Sequence, residues 1–497
     1  MTAFVTAETR SGRVRGTVER GVARFLGLPY AAPLDGAGWF LPASAPEPWS
    51  GERDATEYGP TVPKPGYQGP VSEILTAEPD FPGAECLNLN VWAPEGAVDA
   101  PVFVWIHGGA FRNGSGRSSL YAGAAFARDG VVCVTINYRL GALGFLDTGD
   151  EHTNLGLRDQ IMALHWVREN IAAFGGDPAR VTVAGESAGG MSVGALLSSP
   201  LAAGLFTQAV LQSGAGHHAI TRETAQKVTR ALAERLGVAP TREAFAGVGQ
   251  DELIAASTAL DLEVQGNPDP AVWGELTRNV MLFEPVIDGD VLPRLPIEEI
   301  ADGAGSDVRV LAGSTADEAR FFIVPGGMID LVPEEALIPT AAKYGLPDPA
   351  AAVARYRAAE PDASPGDLFC RIMADWFFSI PAVRLAEARR GAAADTYLYR
   401  FDEPSRALGG RLGACHAIEL AYAFDNLLVE GAVNLTGADA RQAVADETHA
   451  AWVRFTRGED LDWPVHLPER TVRVFGGAGG TVVDPAPEIR ALWEGVR

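Results

Sequence analysis

A serine flanked by two glycines is the residue of this chain best placed to do chemistry. The pentapeptide Gly185–Gly189 has the sequence Gly-Glu-Ser-Ala-Gly, follows the short apolar run Val181–Ala184 and precedes a stretch rich in Gly and Ala. A strand, a sharp turn and a helix in that order expose a serine hydroxyl, because glycines leave no side chain to clash at the turn. The N-terminal amides of the helix then face any negative charge that develops there. We therefore predict that Ser187 is a nucleophile.

The proton acceptor that such a serine needs is predicted to be His416. A serine hydroxyl is a weak nucleophile until a neighbouring imidazole takes its proton. His416 follows the predicted strand Thr396–Phe401 after a Gly-rich loop. Of the other late histidines, His449 lies in a predicted helix and His466 in a Pro-bounded loop, so neither is at the end of a strand.

The third group is a carboxylate that fixes the imidazole tautomer and stabilises the imidazolium. Asp317 and Glu318 are adjacent and both follow the predicted strand Val308–Ala312. The residues by themselves leave either one as the acid.

Backbone amides that could bind a developing oxyanion follow another strand. The run His107-Gly108-Gly109-Ala110-Phe111 comes directly after the apolar segment Val102–Ile106. Small residues let a carbonyl oxygen approach the backbone closely, which such donors require. We predict an oxyanion hole made of the amides of Gly109, Ala110 and Ala188.

These residues all follow strands of one predicted sheet. Buried strands at Val131–Ile136 and Gln208–Gln212 and an amphipathic helix at Arg158–Ile171 complete a strand–helix alternation through the first half of the chain. The pattern predicts an α/β protein with a large, mostly parallel sheet and helices on both faces. Sites in such sheets form outside the carboxyl ends of the strands. The N-terminal 90 residues or so, rich in Pro and Gly, are predicted to be a small irregular β region.

Two helical blocks, about 221–280 and 318–387, interrupt the strand pattern. We interpret them as insertions that cap the edge of the sheet within a single domain covering 1–497. Phe321 and Phe322 follow the candidate acids within one helical turn, so we predict that they lie close to the substrate pocket.

Composition excludes several classes of function. The formal net charge is −24, and Lys and Arg are scattered along the chain rather than clustered. Nucleic acid and an anionic membrane surface are therefore not expected partners. No apolar run is long enough to span a bilayer, and the N-terminus has no apolar segment of the secretory kind. We predict a cytoplasmic protein.

The four cysteines, Cys86, Cys133, Cys370 and Cys415, are far apart and have no metal-ligand spacing. Neither a disulfide framework nor a metal site is expected.

Several segments together resemble the type-B carboxylesterases, the family of bacterial para-nitrobenzyl esterases, mammalian carboxylesterases and cholinesterases. Phe174–Gly189 is similar to the nucleophile signature of that family, and Glu85–Val91 to its second signature. Asn154–Gln160 and His416–Leu420 also resemble family segments. The resemblance runs from near residue 10 to the C-terminus and implies an α/β-hydrolase fold.

The resemblance also assigns roles. It implies that Glu318 rather than Asp317 is the acid, that an acidic residue beside the nucleophile, Glu186, takes part in the site, and that Ser213 supports it. Cys86 occupies a position that forms a disulfide in the family, yet the usual partner segment, 59–63, contains no cysteine.

The sequence therefore predicts a serine carboxylesterase that hydrolyses small short-chain and aromatic esters through an acyl-enzyme intermediate. Neither a cofactor nor a metal is needed for this chemistry, and a monomer is favoured. The same triad would also serve an amidase, a lactonase or a carbamate hydrolase. A catalytically silent scaffold of the same fold is a further alternative, which the filled triad positions disfavour.

Overall fold

The structure, a computed structural model, describes residues 3–75, 80–279 and 281–496. Val280, the last residue of the first predicted insertion, lies outside the described residues, as do both ends of the predicted domain, Met1 and Arg497.

A large sheet runs through the described part of the chain and carries nearly all of its strands. In spatial order the strands are β1-β2-β3-β5-β7-β6-β8-β9-β12-β13-β14-β15, with β4 added beside β2, while β10 and β11 form a separate pair. The strands span Ala3–Thr9 (β1), Gly12–Glu19 (β2), Val22–Pro29 (β3), Glu52–Asp54 (β4), Asn88–Pro94 (β5), Ala100–Ile106 (β6), Val132–Ile136 (β7), Gly176–Glu186 (β8), Gln208–Gln212 (β9), Ile220–Thr221 (β10), Val286–Ile287 (β11), Arg309–Thr315 (β12), Thr396–Phe401 (β13), Thr471–Phe475 (β14) and Gly480–Val483 (β15).

The middle of the sheet, from β7 to β14, is parallel. Its flanks are antiparallel, except that the short strand β4 pairs with β2 in parallel. Strands β7 and β9 are buried along their whole length. Continuous apolar runs of this kind are typical of parallel strands that are covered on both faces. The predicted large, mostly parallel sheet is therefore present.

Helices connect the strands and cover the sheet. They span Ala124–Arg128 (α1), Gly141–Phe145 (α2), Leu155–Asn170 (α3), Ala188–Ser198 (α4), Arg222–Leu236 (α5), Arg242–Ala246 (α6), Gln250–Gly266 (α7), Pro270–Trp273 (α8), Leu276–Asn279 (α9), Pro296–Ala301 (α10), Arg320–Ile323 (α11), Leu337–Lys343 (α12), Pro349–Ala359 (α13), Pro365–Ala374 (α14), Ile380–Ala388 (α15), Glu419–Ala423 (α16), Glu430–Thr436 (α17), Gln442–Thr456 (α18) and Pro487–Leu492 (α19).

Local chemistry sets the ends of these helices. The side chain of Thr221 accepts a hydrogen bond from the amide of Thr224 at the start of α5, and Gly237, with φ of 66°, ends it. A hydroxyl cap and a left-handed glycine are the usual start and stop signals of a helix.

Two sequence predictions about the strands are corrected. The strand before Ser187 was predicted from the apolar run Val181–Ala184, but β8 begins earlier, at Gly176, which pairs with Ala100 of β6. The N-terminal region is more regular than expected, because β1, β2 and β3 form an antiparallel ladder that joins the main sheet through β5. In both places the strand forms because a neighbouring strand supplies hydrogen-bonding partners, and local sequence propensity does not reveal these partners.

A buried ion pair ties this N-terminal region to the centre of the fold. The Arg139 guanidinium lies 2.6 Å from the Asp159 carboxylate of α3, and both side chains are 0% exposed. The same guanidinium donates to the carbonyls of Trp39, at 3.1 Å, and Leu41, at 2.6 Å. The guanidinium donates to the carboxylate and to both carbonyls, so removal of the carboxylate would leave a buried positive charge without its counter-ion.

We expect Asp159→Asn to lower the free energy of unfolding by about 3 kcal/mol or more, because it leaves the Arg139 charge buried and uncompensated. The matched control is Glu169→Gln on the same helix, whose pair with Arg10 is 42% and 68% exposed. An exposed pair of that kind contributes about 1 kcal/mol or less. Denaturant unfolding of both variants measures the difference, and equal destabilisation would contradict the prediction.

Among the described residues, no helix is both long enough and apolar enough to cross a bilayer.

Candidate active site

Ser187 occupies the turn between β8 and α4, as predicted, in a strained conformation. Its φ is 57° and its ψ is −126°, a region that residues with a side chain rarely adopt. A Cβ added to Gly189 would lie 2.1 Å from the carbonyl oxygen of Ile106, and one added to Gly185 would lie 2.4 Å from the carbonyl carbon of Gly189. Gly189 is therefore required for the turn to pack against β6, and Gly185 for the two ends of the turn to approach each other.

His416 and Glu318 meet in a buried hydrogen bond. Nδ1 of His416 lies 2.6 Å from Oε2 of Glu318, and both side chains are buried. The other carboxylate oxygen of Glu318 accepts from the Ser213 hydroxyl at 2.6 Å and from the amide of Thr315 at 2.8 Å. Because the carboxylate accepts at Nδ1, it holds the imidazole in the tautomer whose Nε2 is available for proton transfer.

Asp317 has a different position from its neighbour. Its amide donates to the carbonyl of Ala414 at 2.8 Å, and its carboxylate accepts from the amide of Ala414 at 3.0 Å. The residues by themselves left either acid open, and the structure brings only Glu318 to His416. Asp317 instead fastens the loop that carries the histidine.

A second carboxylate faces the other imidazole nitrogen. Oε1 of Glu186, the residue before the serine, lies 3.0 Å from Nε2 of His416, and both side chains are buried. Glu419 is buried behind them, with Oε1 3.4 Å from the Ser213 hydroxyl. His416 is thus surrounded by a cluster of three carboxylates, Glu186, Glu318 and Glu419.

This cluster shifts the proton affinities of its members. Burial by itself would lower the pKa of His416, but the carboxylates of Glu186 and Glu318 outweigh burial and raise the pKa to about 9. Burial raises the pKa of Glu186 to about 7, against the opposing attraction of His416. Burial, with repulsion from the other two carboxylates, raises the pKa of Glu419 to about 8. At neutral pH the imidazole therefore holds its proton more tightly than an ordinary histidine does.

The loop predicted to bind an oxyanion has three successive residues with positive φ. The values are 113° for Gly109, 54° for Ala110 and 56° for Phe111. A Cβ on Gly109 would lie 2.3 Å from the carbonyl oxygen of Asn113, so only glycine fits there. The carbonyl of Phe111 accepts from the amide of Gly141 at 2.7 Å, and its ring packs on Phe145 at 5.0 Å. These contacts hold a backbone shape that is unfavourable in isolation.

The predicted site residues converge on one cavity of about 440 Å³. Ser187, His416, Gly109, Ala110 and Glu186 line it. Ala188, the third predicted oxyanion donor, is the first residue of α4 and is fully buried. Ser213 is not among the lining residues and donates to Glu318, which in turn contacts His416.

Aromatic side chains form the wall beside the imidazole. The ring centroids of Phe321 and Phe322, the two predicted pocket residues, lie 5.8 Å and 5.2 Å from that of His416. Phe378 is closer still, at 4.7 Å. A substrate held at this wall would contact aromatic faces on one side and the imidazole on the other.

Sequence reasoning missed Phe378 as a pocket residue. It lies in a π-helical turn, Asp375–Ser379, between α14 and α15. Such turns often mark functional sites. The sequence feature that could have indicated this is the run Trp376-Phe377-Phe378. Three successive residues of a helix cannot all face the same core, so one of these aromatic rings had to point elsewhere.

Sequence reasoning also missed a polar part of the cavity lining. Tyr67, Gln68, Arg112, Asn113 and Gln265 line the cavity together with the aromatic wall. These residues come from three separate parts of the chain, so no local pattern connected them.

Comparison with known proteins finds the same architecture. A profile of the carboxylesterase family matches residues 3–461. The chain is 37% identical to para-nitrobenzyl esterase of Bacillus subtilis (strain 168), over 93% of this chain and 92% of that protein. It is also 37% identical to phenmedipham hydrolase of Pseudarthrobacter oxydans, over 96% of each. The crystal structure of a carboxylesterase from Geobacillus stearothermophilus superposes with a TM-score of 0.85 at 39% identity, covering 98% of this chain and 99% of that one.

We expect Glu318→Gln to lower kcat for ester hydrolysis by about 10⁴-fold, because the amide no longer secures the productive imidazole tautomer. Asp317→Asn is the matched control. An amide oxygen can still accept from Ala414, so we expect a loss of about 10-fold or less. Steady-state kinetics on one soluble ester compares the two variants, and the reverse ranking would identify Asp317 as the acid.

The carboxylate cluster also predicts a pH dependence. A protonated His416 cannot accept a proton, so kcat/KM should rise as pH increases towards its pKa of about 9. A nearby anion favours the imidazolium, so removal of that anion should lower the pKa. We expect Glu186→Gln to move the midpoint of the pH profile down by about one unit or more.

The control for the pH profile is Glu169→Gln, which removes an exposed carboxylate from α3. Its midpoint should match that of the parent protein. An unchanged or raised midpoint in Glu186→Gln would contradict the electrostatic account.

Proposed function

The chain belongs to the carboxylesterase family, and from this membership we propose that Ser187, His416 and Glu318 are the catalytic triad of a serine esterase. The protein has the α/β-hydrolase fold and is a carboxylic ester hydrolase. One observation carries the assignment of residues. A strained serine opens into the same cavity as a histidine whose Nδ1 lies 2.6 Å from a buried carboxylate.

In the first half-reaction, Oγ of Ser187 attacks the ester carbonyl while Nε2 of His416 takes the hydroxyl proton. Glu318 stabilises the imidazolium that results. The amides of Gly109, Ala110 and Ala188 bind the carbonyl oxygen as it becomes an oxyanion. When the C–O bond to the alcohol breaks, His416 returns the proton to the leaving oxygen, and an acyl-serine remains.

In the second half-reaction, water replaces the alcohol. His416 takes a proton from the water as its oxygen attacks the acyl carbon, and the same amides hold the second oxyanion. Collapse of this intermediate breaks the bond to Oγ, and His416 returns the proton to Ser187. The enzyme regains its starting state, and a carboxylic acid is released.

Two further residues support the triad in this proposal. Ser213 donates to Glu318 at 2.6 Å and so fixes the carboxylate on the side away from the imidazole. Glu186 lies 3.0 Å from Nε2 of His416 and stabilises the imidazolium that forms during both half-reactions.

We propose short-chain and aromatic esters as substrates. Phe321, Phe322 and Phe378 surround the imidazole and supply apolar faces for a flat or short acyl group. The cavity of about 440 Å³ is in the range of small-molecule sites. A relative at 37% identity is named a para-nitrobenzyl esterase.

We propose that the two helical blocks, 221–280 and 318–387, act as caps over the sheet edge. Gln265 of the first block and Phe321 of the second both line the cavity, which supports that role. A monomer is also proposed, because the proposed triad and oxyanion residues all belong to the same chain.

We also propose a cytoplasmic location. All four cysteines are free thiols and buried, Cys86 included, which suits a reducing compartment.

We expect Ser187→Ala to lower kcat by about 10⁶-fold, because the nucleophile is lost while the turn keeps its backbone. Circular dichroism and the melting temperature should stay close to those of the parent protein. Hydrolysis of para-nitrophenyl acetate measures the loss. A variant that retained a substantial share of the activity would disprove the assignment of Ser187.

The same assay tests the substrate class. Across para-nitrophenyl esters from acetate to palmitate, kcat/KM should reach its maximum no later than hexanoate. A maximum at decanoate or beyond, or activation by an oil–water interface, would contradict the proposed preference while leaving the triad intact.

A further inference from the structure

Arg112 brings a permanent positive charge to the lining of the active-site cavity. Among the described residues that line the cavity it is the sole lysine or arginine. It also belongs to the oxyanion loop, since its amide donates to the carbonyl of Gly109 at 3.1 Å. In a chain with a formal net charge of −24, a cation at this position requires an explanation.

We propose that Arg112 is a specificity-determining residue that selects esters carrying a free carboxylate in addition to the scissile ester, such as half-esters of dicarboxylic acids. This inference rests on the proposed esterase function and names the substrate class of the same site.

The guanidinium is held in place by a buried carboxylate of α7. Its Nη1 pairs with Asp261 of α7, whose side chain is only 5% exposed, whereas the Arg112 side chain is 36% exposed. The amide of Gln265, one helical turn further along α7, donates to the same Asp261 carboxylate at 2.9 Å. The anchoring carboxylate is therefore buried, and the residue it holds lines the cavity with a side chain that is partly exposed. A side chain fixed in this way loses less conformational entropy when it binds a ligand.

The remaining donors suit a carboxylate. A guanidinium has five N–H groups in a planar fork, and Asp261 takes only part of that capacity. Nε of Arg112 is buried, so the donors left for a ligand are those of the outer guanidinium nitrogens. Planar forks bind carboxylates in a bidentate manner, with more strength and directionality than they bind neutral carbonyls.

The charges in the cavity also set the orientation of such a substrate. The carboxylates of Glu318 and Glu186 lie 2.6 Å and 3.0 Å from the two nitrogens of His416, so they already balance the charge of a protonated imidazole. Arg112 keeps donors that Asp261 does not occupy, so a second carboxylate is attracted there rather than at the imidazole. Complementary charge at one part of a site fixes the register of a ligand.

The test compares two esters of similar shape, monoethyl terephthalate and ethyl 4-methylbenzoate, by their kcat/KM values. The readout is the ratio of the first value to the second. We expect Arg112→Met to lower this ratio by about 10-fold or more, because it removes a charge-assisted contact that only the half-ester makes.

The matched control is Arg235→Met. Arg235 lies on α5 and pairs with Glu263, which is on α7 like Asp261. Arg235 is not among the lining residues of the cavity. Its removal changes the net charge of the protein by the same amount, so the ratio should stay within about 2-fold of the parent value. An equal fall in both variants would show a bulk electrostatic effect and overturn the proposal.

An unchanged ratio in Arg112→Met would also overturn the proposal. If both esters lost activity equally, Arg112 would serve only to tether the oxyanion loop to α7. Should Arg112→Met fail to fold, the parent protein decides the question. Its ratio should fall when salt is raised from about 0.02 M to about 0.5 M, and a ratio insensitive to salt overturns the proposal.

Failure of the esterase proposal would look different. A parent protein without Ser187-dependent turnover of para-nitrophenyl acetate would remove the basis of both proposals. Normal turnover of that ester with an unchanged ratio would remove only the role of Arg112.

Discussion

The hydrogen bond between Glu318 and His416 is the contact on which the rest of the site depends. It joins the loop after β12 to the loop after β13, and at 2.6 Å it is completely enclosed. Each neighbour of this bond serves to keep it in place. Ser213 and the amide of Thr315 occupy the second oxygen of Glu318, and Asp317 fastens the loop that carries the histidine. A buried charged pair is stable only when its other polar atoms are satisfied in this way.

Burial of this site also places several ionisable groups close together with little solvent to screen them. Three carboxylates share one small volume with one imidazole, and burial raises the pKa of Glu186 to about 7 and that of Glu419 to about 8. Such an arrangement does not favour folding, since each buried ion costs desolvation energy. It does favour the proposed reaction, in which an imidazolium forms twice in each cycle. Strongly shifted pKa values concentrate at functional sites for this reason.

The backbone around the same cavity is also strained. Ser187, Ala110 and Phe111 all have positive φ around one cavity. Strain of this kind persists only where packing leaves the chain no alternative. Here the packing comes from the central parallel strands, which are buried on both faces, and from the close approach of Gly189 to the Ile106 carbonyl. The rigid sheet thus holds in place the turns that local preference disfavours.

The local features of this protein were determined by its sequence. Helix caps and the glycines around Ser187 depend on neighbours within a few residues, and β9 and β13 have their predicted bounds. The choice between Asp317 and Glu318 was different, because His416 lies 98 residues from the carboxylate that it contacts. The start of β8 at Gly176, the position of Phe378 beside the imidazole and the pairing of Arg112 with Asp261 also depend on distant partners. Turn chemistry and periodicity act within a short window of the chain, whereas contacts between distant segments follow from how whole elements pack. Only the tertiary structure could decide them.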